Sequence, residues 1–513
     1  MELNRLLLPG EYEGEIGNGI EITGISNDGR RIAPGDLFIC HKGEKFDAHA
    51  LLPTLSAAGV AAAVVSDEHG KDTAGIPLLA VEDTRRAEAY AVSRFYGSPG
   101  DRLTLIGVTG TNGKTSVSTM LWRVLNDAGI KTGLIGTTGY RGAPENENAF
   151  ISFKTGEAAT MTTPPPLTLY PLLAAMADEG ITHVVMEASS QALAVSRVAP
   201  LFFSAAVFTN LTPEHLDYHR AMNDYLAAKK ILFRQAGIAV VNGDSPWTDL
   251  LLDGLSCRRV VCGTFGSCDF TASEIVPNGN AGVSYLCKTP EGRFHVSVPI
   301  PASFTVTNSL LALATAHALG VGIDSAVGTL AHIPAVPGRM EAIDVGESPF
   351  SVIIDYAHTE AALRSLLSSV RAFRRPGQRI VLLFGCGGDR DPGKRSEMGR
   401  TAEELADFTV VTSDNSRNED PKKIIAAILS GMSRTDKRRV VVDRRRAIEY
   451  VIRTAKAGDI ILLVGKGHEK YEIDGKGVRE FDEKKIVVEA LEARRNGHTT
   501  EGTNRADRNG RAD

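Results

Sequence analysis

The chain has 513 residues, a net charge of −5 and the proportions of hydrophobic (43%) and charged (23%) residues that are ordinary for a globular protein. This length is too great for a single hydrophobic core, so we expect three or four domains. The mildly acidic balance argues against a nucleic-acid partner, and no segment approaches the ~20 apolar residues that span a membrane. The six cysteines form no CxxC pair, so neither a zinc site nor a disulfide framework is indicated, and we expect a cytoplasmic protein without a signal peptide.

Residues 1–100 predict a small α/β domain. Short apolar runs indicate strands at 20–25, 36–40, 60–65 and 77–81, with helical stretches between them. Gly97-Ser-Pro-Gly100 is typical of a linker and marks the end of this domain.

The stretch 103–129 begins a second α/β domain, which we expect to cover residues 101–336 and to contain a mostly parallel sheet. An apolar run leads into a glycine-rich turn, and apolar residues at helical spacing follow. Such a turn directs backbone N–H groups and the positive end of a helix dipole to one point, which predicts a phosphate site. The turn has the short G-x-x-G-K-T spacing of a P-loop, in which the lysine adds a charge and the threonine hydroxyl binds the Mg²⁺ that accompanies a nucleotide. Its residues are Gly110, Thr111, Asn112, Gly113, Lys114, Thr115 and Ser116.

Further polar residues of the second domain follow predicted strands at 182–186, 205–208 and 238–241, ahead of an apolar helix at 304–319. Glu187 ends the first of these strands, and a carboxylate in that place beside a P-loop commonly coordinates magnesium. The second strand precedes a segment in which His215 and His219 stand among carboxylates. A lone histidine is more often structural, so the pattern leaves both interpretations open.

Residues 337–493 predict a third, Rossmann-like domain with a doubly wound parallel sheet. Its strands are expected at 352–354, 380–384, 409–412, 440–442 and 460–464, each followed by a helical stretch. Ligands bind such sheets at the carboxyl ends of strands, where polar clusters occur at 355–358, 385–391, 414–421 and 465–469. Arg444-Arg445-Arg446 indicates a solvated helix face. Residues 494–513 have almost no apolar side chains and predict a disordered tail.

An ordered series of motifs resembles the Mur ligases, and among them the members that add the third residue of the peptidoglycan stem peptide. The motifs are GVTGTNGKTS, TTP, MEASS, FTNLTPEHLDYH, YLAAK, PGRME, DYAHT, GGDRDPGKR and GKGHE. The similarity covers about residues 20–490. It implies a domain for a UDP-linked substrate, an ATPase domain and a Rossmann-like domain for an incoming amino acid.

The resemblance implies an ATP-dependent amide ligase that uses Mg²⁺. ATP phosphorylates the D-glutamate side chain of UDP-N-acetylmuramoyl-L-alanyl-D-glutamate, and the amine of a diamino acid then displaces the phosphate. Catalysis is assigned to Lys114, His215 and Lys229, and ATP binding to the P-loop with Asn308, Arg339 and Asp355. The metal is assigned to Thr115, Glu187, His215 and Lys229, the last as a carbamylated lysine. The UDP-muropeptide is assigned to Thr162, Thr163, Ser189 and Arg197, and the diamino acid to Arg390, Asp414, Asn415, Arg417, Gly465 and Glu469.

The family pattern also bears on the diamino acid. Members that use meso-diaminopimelate carry D-N-P-R where this chain has Asp414-Asn-Ser-Arg417, so the resemblance implies diaminopimelate rather than L-lysine. A guanidinium forks a carboxylate with two parallel hydrogen bonds, and only diaminopimelate has a carboxylate on its far carbon. The alternative is a surface arginine paired with Glu419 or Asp420. Serine, histidine and proline are usual in the family at three other positions, which hold Gly29, Gln191 and Ser396 here.

Several alternatives stay open. The ligase could use L-lysine or another diamino acid, or the chain could be another amide ligase of the superfamily, such as folylpolyglutamate synthetase or a neighbouring Mur ligase. A P-loop nucleotide hydrolase that does not ligate is the alternative from another class. Without the resemblance, Lys229 beside Lys230 fits a solvated helix lysine. We expect a monomer with small-molecule substrates and neither nucleic-acid nor membrane partners.

Overall fold

The computed structural model describes residues 1–8, 10–14, 19–43, 46–69, 75–153, 161–214 and 216–506. They divide into two compact units. The first contains Met1–Leu211, Tyr218–Phe270 and Leu311–Ala326, and the second contains Thr212–Asp217, Thr271–Leu310 and the described residues from Val327 onward. Within the described part of the chain, no helix combines the length and apolar character needed to cross a bilayer.

The N-terminal part of the first unit is a parallel sheet in the order β1-β2-β3-β4. The strands are β1 (Gly24–Ser26), β2 (Asp36–Ile39), β3 (Ala62–Ser66) and β4 (Leu78–Val81), and the helices are α1 (Leu3–Leu6), α2 (Leu52–Leu55) and α3 (Thr84–Phe95). Successive residues of β2 enter opposite apolar clusters, because strand side chains alternate between faces. Leu37 and Ile39 pack with α1 and α3, whereas Phe38 packs with α2. The predicted α/β fold of this region is confirmed.

The central sheet of the first unit places the P-loop strand in its middle. Its strands are β5 (Thr104–Thr109), β6 (Thr132–Gly136), β7 (Gly139–Arg141), β8 (His183–Glu187), β9 (Phe203–Phe208), β10 (Ala236–Asn242) and β11 (Arg258–Gly263), in the order β11-β10-β9-β5-β8-β6-β7. The helices of this part of the chain are α4 (Lys114–Asp127), α5 (Pro166–Asp178), α6 (Ser190–Ala194), α7 (Leu216–His219), α8 (Met222–Arg234) and α9 (Thr248–Leu252). β5 pairs in parallel with β8 and β9, so the residues after all three strands meet at one sheet edge.

An antiparallel meander follows, which the sequence analysis did not predict. It consists of β12 (Phe270–Pro277), β13 (Val283–Thr289) and β14 (Gly292–Val298), with β13 in the middle. Val283, Tyr285 and Cys287 are buried along β13, whereas Lys288 is exposed. Helices α10 (Phe304–Ala318) and α11 (Ile323–Leu330) come next, and α10 confirms the apolar helix predicted at 304–319.

The C-terminal part of the second unit confirms the predicted doubly wound sheet. Its strands are β15 (Glu341–Ile343), β16 (Ser351–Asp355), β17 (Ile380–Phe384), β18 (Phe408–Val411), β19 (Arg438–Val440) and β20 (Ile460–Val464), in the order β15-β16-β20-β17-β18-β19. All pairs are parallel except β15 with β16. The helices are α12 (Glu360–Phe373), α13 (Gly393–Leu405), α14 (Pro421–Leu429), α15 (Arg444–Thr454) and α16 (Glu483–Ala506), and a hairpin of β21 (Tyr471–Asp474) and β22 (Gly477–Glu480) precedes α16.

The structure differs from the sequence prediction in the tail. Helix α16 continues through residues 494–506, for which we expected disorder, and residues 507–513 lie outside the described residues. The Arg494 guanidinium donates to the carbonyl oxygens of Ile452 and Ala455, and Arg495 donates to that of Val345 at 3.1 Å. These polar contacts attach the beginning of the tail to the domain, and a hydrophobicity pattern does not detect them.

Candidate active site

The P-loop has the backbone that its sequence predicts. Gly110 and Gly113 have φ values of 151° and 86°, and helix α4 begins directly after them at Lys114. A Cβ atom at Gly110 would overlap the Thr209 hydroxyl, so glycine is required there for packing as well as for conformation. The Lys114 ammonium donates to the carbonyl oxygens of Gly110 and Thr111, at 2.9 Å each. The charge of Lys114 therefore lies at the turn that begins the helix.

Two residues after β9 hold the P-loop in place. The Asn210 side-chain oxygen accepts from the Asn112 N–H at 2.9 Å, and the Thr209 hydroxyl donates to the Asn112 carbonyl at 2.6 Å. The Asn210 carbonyl accepts from the Thr111 N–H at 2.9 Å. In the sequence this segment stands out only for its histidines, and none of these three contacts was predicted.

Glu187 is the buried carboxylate beside the P-loop. It is 1% exposed, and its Oε2 atom accepts from the hydroxyls of Thr115 at 3.0 Å and Thr137 at 3.1 Å. Its Oε1 atom accepts from the Thr137 backbone N–H at 2.9 Å. A Cβ atom at Gly136 would overlap that same oxygen, so glycine at 136 makes room for the carboxylate. Carboxylate and hydroxyl oxygens are the ligands that Mg²⁺ prefers, so this donor set fits the predicted metal.

The four residues assigned to the UDP-muropeptide adjoin Glu187. The Thr163 hydroxyl donates to the Glu187 carbonyl at 2.8 Å and accepts from the Ser189 N–H at 2.9 Å. Arg197 donates to the Thr163 carbonyl at 2.6 Å, and the Thr162 and Thr137 hydroxyls are 3.1 Å apart. Thr137, which sequence reasoning missed, therefore joins the predicted metal and substrate residues in one hydrogen-bonded group.

Lys229 is not a solvated helix lysine, because it is only 1% exposed. Its ammonium nitrogen lies 4.3 Å from the centre of the Tyr225 ring, on which the His219 ring also stacks. The Tyr225 hydroxyl lies 3.2 Å from the Thr111 hydroxyl of the P-loop. Lys229 is thus connected through one aromatic ring to the P-loop. His215, the other histidine of the predicted site, lies outside the described residues.

The remaining residues assigned to ATP lie in the second unit. Asn308 is buried in α10, and Asp355 ends β16. The Asp355 carboxylate accepts from the backbone N–H groups of Met340 and Ala357 at 2.8 Å each. Burial raises the pKa of Asp355 above its ordinary value, against the opposing charge of Arg339. The Arg339 guanidinium carbon lies 4.6 Å from the centre of the Tyr356 ring.

Two loops after β18 and β20 carry residues assigned to the diamino acid. The Asn415 side-chain oxygen accepts from the Lys466 ammonium at 2.9 Å, so the amide NH₂ group points to Glu469 and donates to it at 2.8 Å. Burial and the charge of Asp414 raise the pKa of Glu469, against the charge of Lys466 and the bond from Asn415. The Cβ atom of any other residue at Gly465 would lie 2.6 Å from an Asp414 carboxylate oxygen, so the two loops touch where only glycine fits.

Burial acts to raise the pKa of Asp414, but the charges of Arg444 and Lys466 outweigh this effect. The pKa of Asp414 therefore lies below its ordinary value. Arg444 is 1% exposed, so the expectation of a solvated face at 444–446 is wrong for its first residue. A run of arginines in a sequence predicts exposed side chains. The acceptors that Arg444 binds come from distant parts of the chain, so its burial cannot be predicted from its neighbours.

Arg417 does not form the surface ion pair that was considered for it. Glu419 accepts instead from Arg395, at 2.8 and 2.9 Å, and Asp420 caps the N-terminus of α14. One terminal nitrogen of Arg417 donates to the Gly388 carbonyl at 2.8 Å, which brings the loop after β18 against the loop after β17. Arg390, on the latter loop, is exposed and donates to the carbonyl of its neighbour Asp389. The structure thus packs Arg417 against the loop after β17 and leaves Arg390 at the surface.

Comparison with known family models covers most of the chain. Residues 21–96 match the Mur ligase family catalytic domain, residues 108–316 match the Mur ligase middle domain, and residues 338–467 match the Mur ligase glutamate ligase domain. The chain belongs to the Mur ligase family. The three matched segments agree with the three predicted domains, although the exact boundaries stay a prediction.

Individual Mur ligases are similar over nearly the full length. A UDP-N-acetylmuramoyl-L-alanyl-D-glutamate--2,6-diaminopimelate ligase of Caldanaerobacter subterraneus subsp. tengcongensis is 39% identical over 498 residues, which are 96% of this chain and 99% of that enzyme. A solved structure of a ligase with the same name has a TM-score of 0.64 and 29% identity, and covers 92% of this chain and 95% of its own. A folylpolyglutamate synthase of Mycobacterium tuberculosis complexed with ADP, at 20% identity and a TM-score of 0.61, covers 74% of this chain and 92% of its own and shares the fold alone.

At one departure from the Mur ligase pattern, Gly29, a larger residue would meet a neighbouring side chain. A Cβ atom at Gly29 would lie 2.6 Å from the end of the Leu51 side chain, so the usual serine would require Leu51 to move. Gly29 lines a cavity of about 1570 Å³ in the first unit, together with Asn27 and His41. Both of these side chains bond to the buried carboxylate of Glu88, at 2.7 and 3.1 Å. Sequence reasoning missed this carboxylate, which lies on α3.

Nothing in the structure explains Gln191, which is exposed on α6, or Ser396 on α13.

Proposed function

We propose that this Mur ligase joins meso-diaminopimelate to UDP-N-acetylmuramoyl-L-alanyl-D-glutamate, with ATP as the energy source, in the synthesis of peptidoglycan precursors. The observation that carries the proposal is that the P-loop, Glu187 and the threonines assigned to the substrate form one hydrogen-bonded group at the edge of the central sheet. The names of the similar full-length ligases support the choice of substrates. We further propose that the enzyme acts in the cytoplasm, where its nucleotide substrates occur, and as a monomer.

The reaction brings several negative charges together, so most of the catalysis is electrostatic and positional. The terminal phosphate of ATP moves to the D-glutamate carboxylate and leaves ADP. The amine of the diamino acid then attacks the resulting acyl phosphate, which forms the amide and releases phosphate. Lys114 and the N–H groups at the start of α4 oppose the charge on the phosphates. Thr115 and Glu187, with His215 and a carbamylated Lys229, would hold Mg²⁺, which supplies further positive charge when bound.

The second unit would bind the diamino acid. In our proposal Arg417 forks the carboxylate on the far carbon of diaminopimelate, and Glu469 accepts from the ammonium on the same carbon. Asn415 keeps the Glu469 carboxylate in position through its 2.8 Å hydrogen bond. L-lysine has the far ammonium without the carboxylate on the same carbon, so in this proposal Arg417 is the residue that distinguishes diaminopimelate from L-lysine.

A phosphate-release assay tests the proposed function. We expect phosphate release from ATP only when the UDP-muramoyl dipeptide and meso-diaminopimelate are both present. Mass spectrometry should then detect the tripeptide product. L-lysine in place of diaminopimelate is expected to give much slower release. Release from ATP alone would favour a hydrolase, and faster release with lysine would replace the assigned amino acid while the ligase assignment stands.

The change Arg417→Ala is expected to lower kcat/KM for diaminopimelate by about ten- to 150-fold, because a charge-assisted contact contributes roughly 1.5 to 3 kcal/mol. The value for L-lysine should change little. Arg434→Ala is the matched control, because the Arg434 side chain is 53% exposed and forms its ion pair with Asp436 at the surface. We expect the kcat/KM of Arg434→Ala for diaminopimelate to differ from that of the wild type by no more than the equivalent of about 0.5 kcal/mol. An unchanged diaminopimelate value in Arg417→Ala would remove Arg417 from the pocket.

A further inference from the structure

Arg444 is a fully buried cation at the first position of α15. Its side chain is 0% exposed, whereas the side chain of the next residue, Arg445, is 48% exposed and pairs with Glu489 on α16. A buried charge is retained only where its surroundings compensate for the lost hydration.

The Arg444 guanidinium binds the bases of both loops assigned to the diamino acid. One terminal nitrogen donates to the Ser413 carbonyl at 3.2 Å, and the other donates to the Val464 carbonyl at 2.9 Å. Ser413 directly precedes the 414–417 loop, and Val464 directly precedes the 465–469 loop. The Nε atom donates to Glu483 at the start of α16, at 2.8 Å. One planar group thus joins two strand ends and a helix.

The same guanidinium also faces the place where the loops touch. A carboxylate oxygen of Asp414 lies 3.9 Å from Arg444, and this oxygen would be 2.6 Å from a Cβ atom at Gly465. Because a guanidinium has its five N–H donors in a fixed plane, it holds its acceptors at set positions, whereas a lysine ammonium does not. Arg444 is therefore placed to hold the bases of the two loops at a fixed distance from each other.

We propose that Arg444 is a positioning residue that sets the separation of Arg417 and Glu469, and with it the preference for diaminopimelate. This inference rests on the function proposed above, in which these two groups bind the carboxylate and the ammonium of one carbon atom. A substrate with both charges needs both loops at the correct separation, whereas L-lysine needs only Glu469. The Arg444 side chain is fully buried, so its effect on the diamino acid would pass through the two loops.

The test compares Arg444→Lys with the control Arg445→Lys. Arg444→Lys keeps the charge and loses the planar fork, so we expect the KM for diaminopimelate to rise about tenfold or more, since small misplacements of binding groups are costly. The ratio of kcat/KM for diaminopimelate to that for L-lysine should fall by a similar factor. The KM for ATP in Arg444→Lys, and all constants of Arg445→Lys, should stay within about twofold of wild type.

Thermal unfolding and a second variant separate positioning from a purely structural role. If Arg444→Lys raises the KM values for ATP and diaminopimelate together, or leaves the amino-acid preference unchanged, the inference is overturned. If this variant does not fold, Glu483→Ala replaces it, because alanine removes the acceptor that orients the Arg444 guanidinium. An unchanged KM for diaminopimelate in a folded Glu483→Ala protein would then overturn the inference. A wild-type enzyme that does not use diaminopimelate would remove the proposed function itself, whereas normal diaminopimelate use with an unaffected Arg444→Lys removes only the role of Arg444.

Discussion

Replacing Lys114 with alanine is expected to reduce ligation strongly while the chain stays folded. The Lys114 ammonium lies over the P-loop, where it donates to the backbone carbonyls of Gly110 and Thr111. The Lys114 side chain is only half-buried, so its removal leaves no cavity in an apolar core. It does remove a full positive charge from the place where phosphate charge would develop. Losing one such group typically costs about 10²- to 10³-fold in kcat.

The measurement for Lys114→Ala is phosphate release with both substrates present, together with thermal unfolding. Lys131→Ala is the control, because Lys131 is 60% exposed and its ammonium lies 3.9 Å from a Glu145 carboxylate oxygen at the surface. We expect Lys131→Ala to keep wild-type turnover. Wild-type turnover in a folded Lys114→Ala protein would contradict the assignment of the P-loop to ATP.

Replacing Lys229 with alanine is expected to reduce kcat by about 100-fold or more, on the scale of losing a charge-stabilising group at the reacting centre. The side chain is 1% exposed and reaches the Tyr225 ring, which contacts the P-loop. A buried ammonium would also repel a nearby metal ion, whereas a carbamate on the same nitrogen provides anionic oxygen ligands. We therefore expect the active enzyme to carry a carbamate at Lys229.

The test uses carbon-13 bicarbonate and NMR. The wild type should show a carbamate signal that Lys229→Ala lacks and Lys230→Ala keeps. Lys230 is the matched control, because it is the next residue of α8 and donates only to the Leu250 carbonyl among the described hydrogen bonds. Full activity of Lys229→Ala, or an intact protein without the carbamate signal, would refute this role.

Most of the fold could be predicted because the parallel strands are continuous apolar runs. Strand β17 coincides with its prediction, since all five of its residues are buried. Strand β6 was missed, because Gly133 and Gly136 interrupt its apolar pattern. The meander β12-β13-β14 was missed as well: β12 is exposed along most of its length, so it has no strong periodicity. A pattern finds a strand only where burial controls the residue types.

The site was predicted where one short segment carries the chemistry, as in the P-loop. It was missed where the chemistry depends on pairs of distant residues. Thr137 bonds to Glu187 from fifty positions away, and Arg444 bonds to carbonyls of β-strand ends about twenty and thirty positions away. Backbone carbonyls leave no mark in a sequence, so no residue pattern could have shown that Arg444 is buried. These contacts are seen only in the folded structure, where the order of the strands brings the distant residues together.

The order of the C-terminal sheet has a consequence for synthesis of the chain. Strand β20 is the last of its strands to leave the ribosome, yet it pairs with β16 on one side and β17 on the other. Until residues 460–464 have emerged, β16 and β17 lack the partner that lies between them, and their inner edges stay open to other chains. The N-terminal sheets need no later strand of this domain and can form earlier. A chain that stops before β20 is therefore expected to expose two apolar strand edges and to pair through them with other chains.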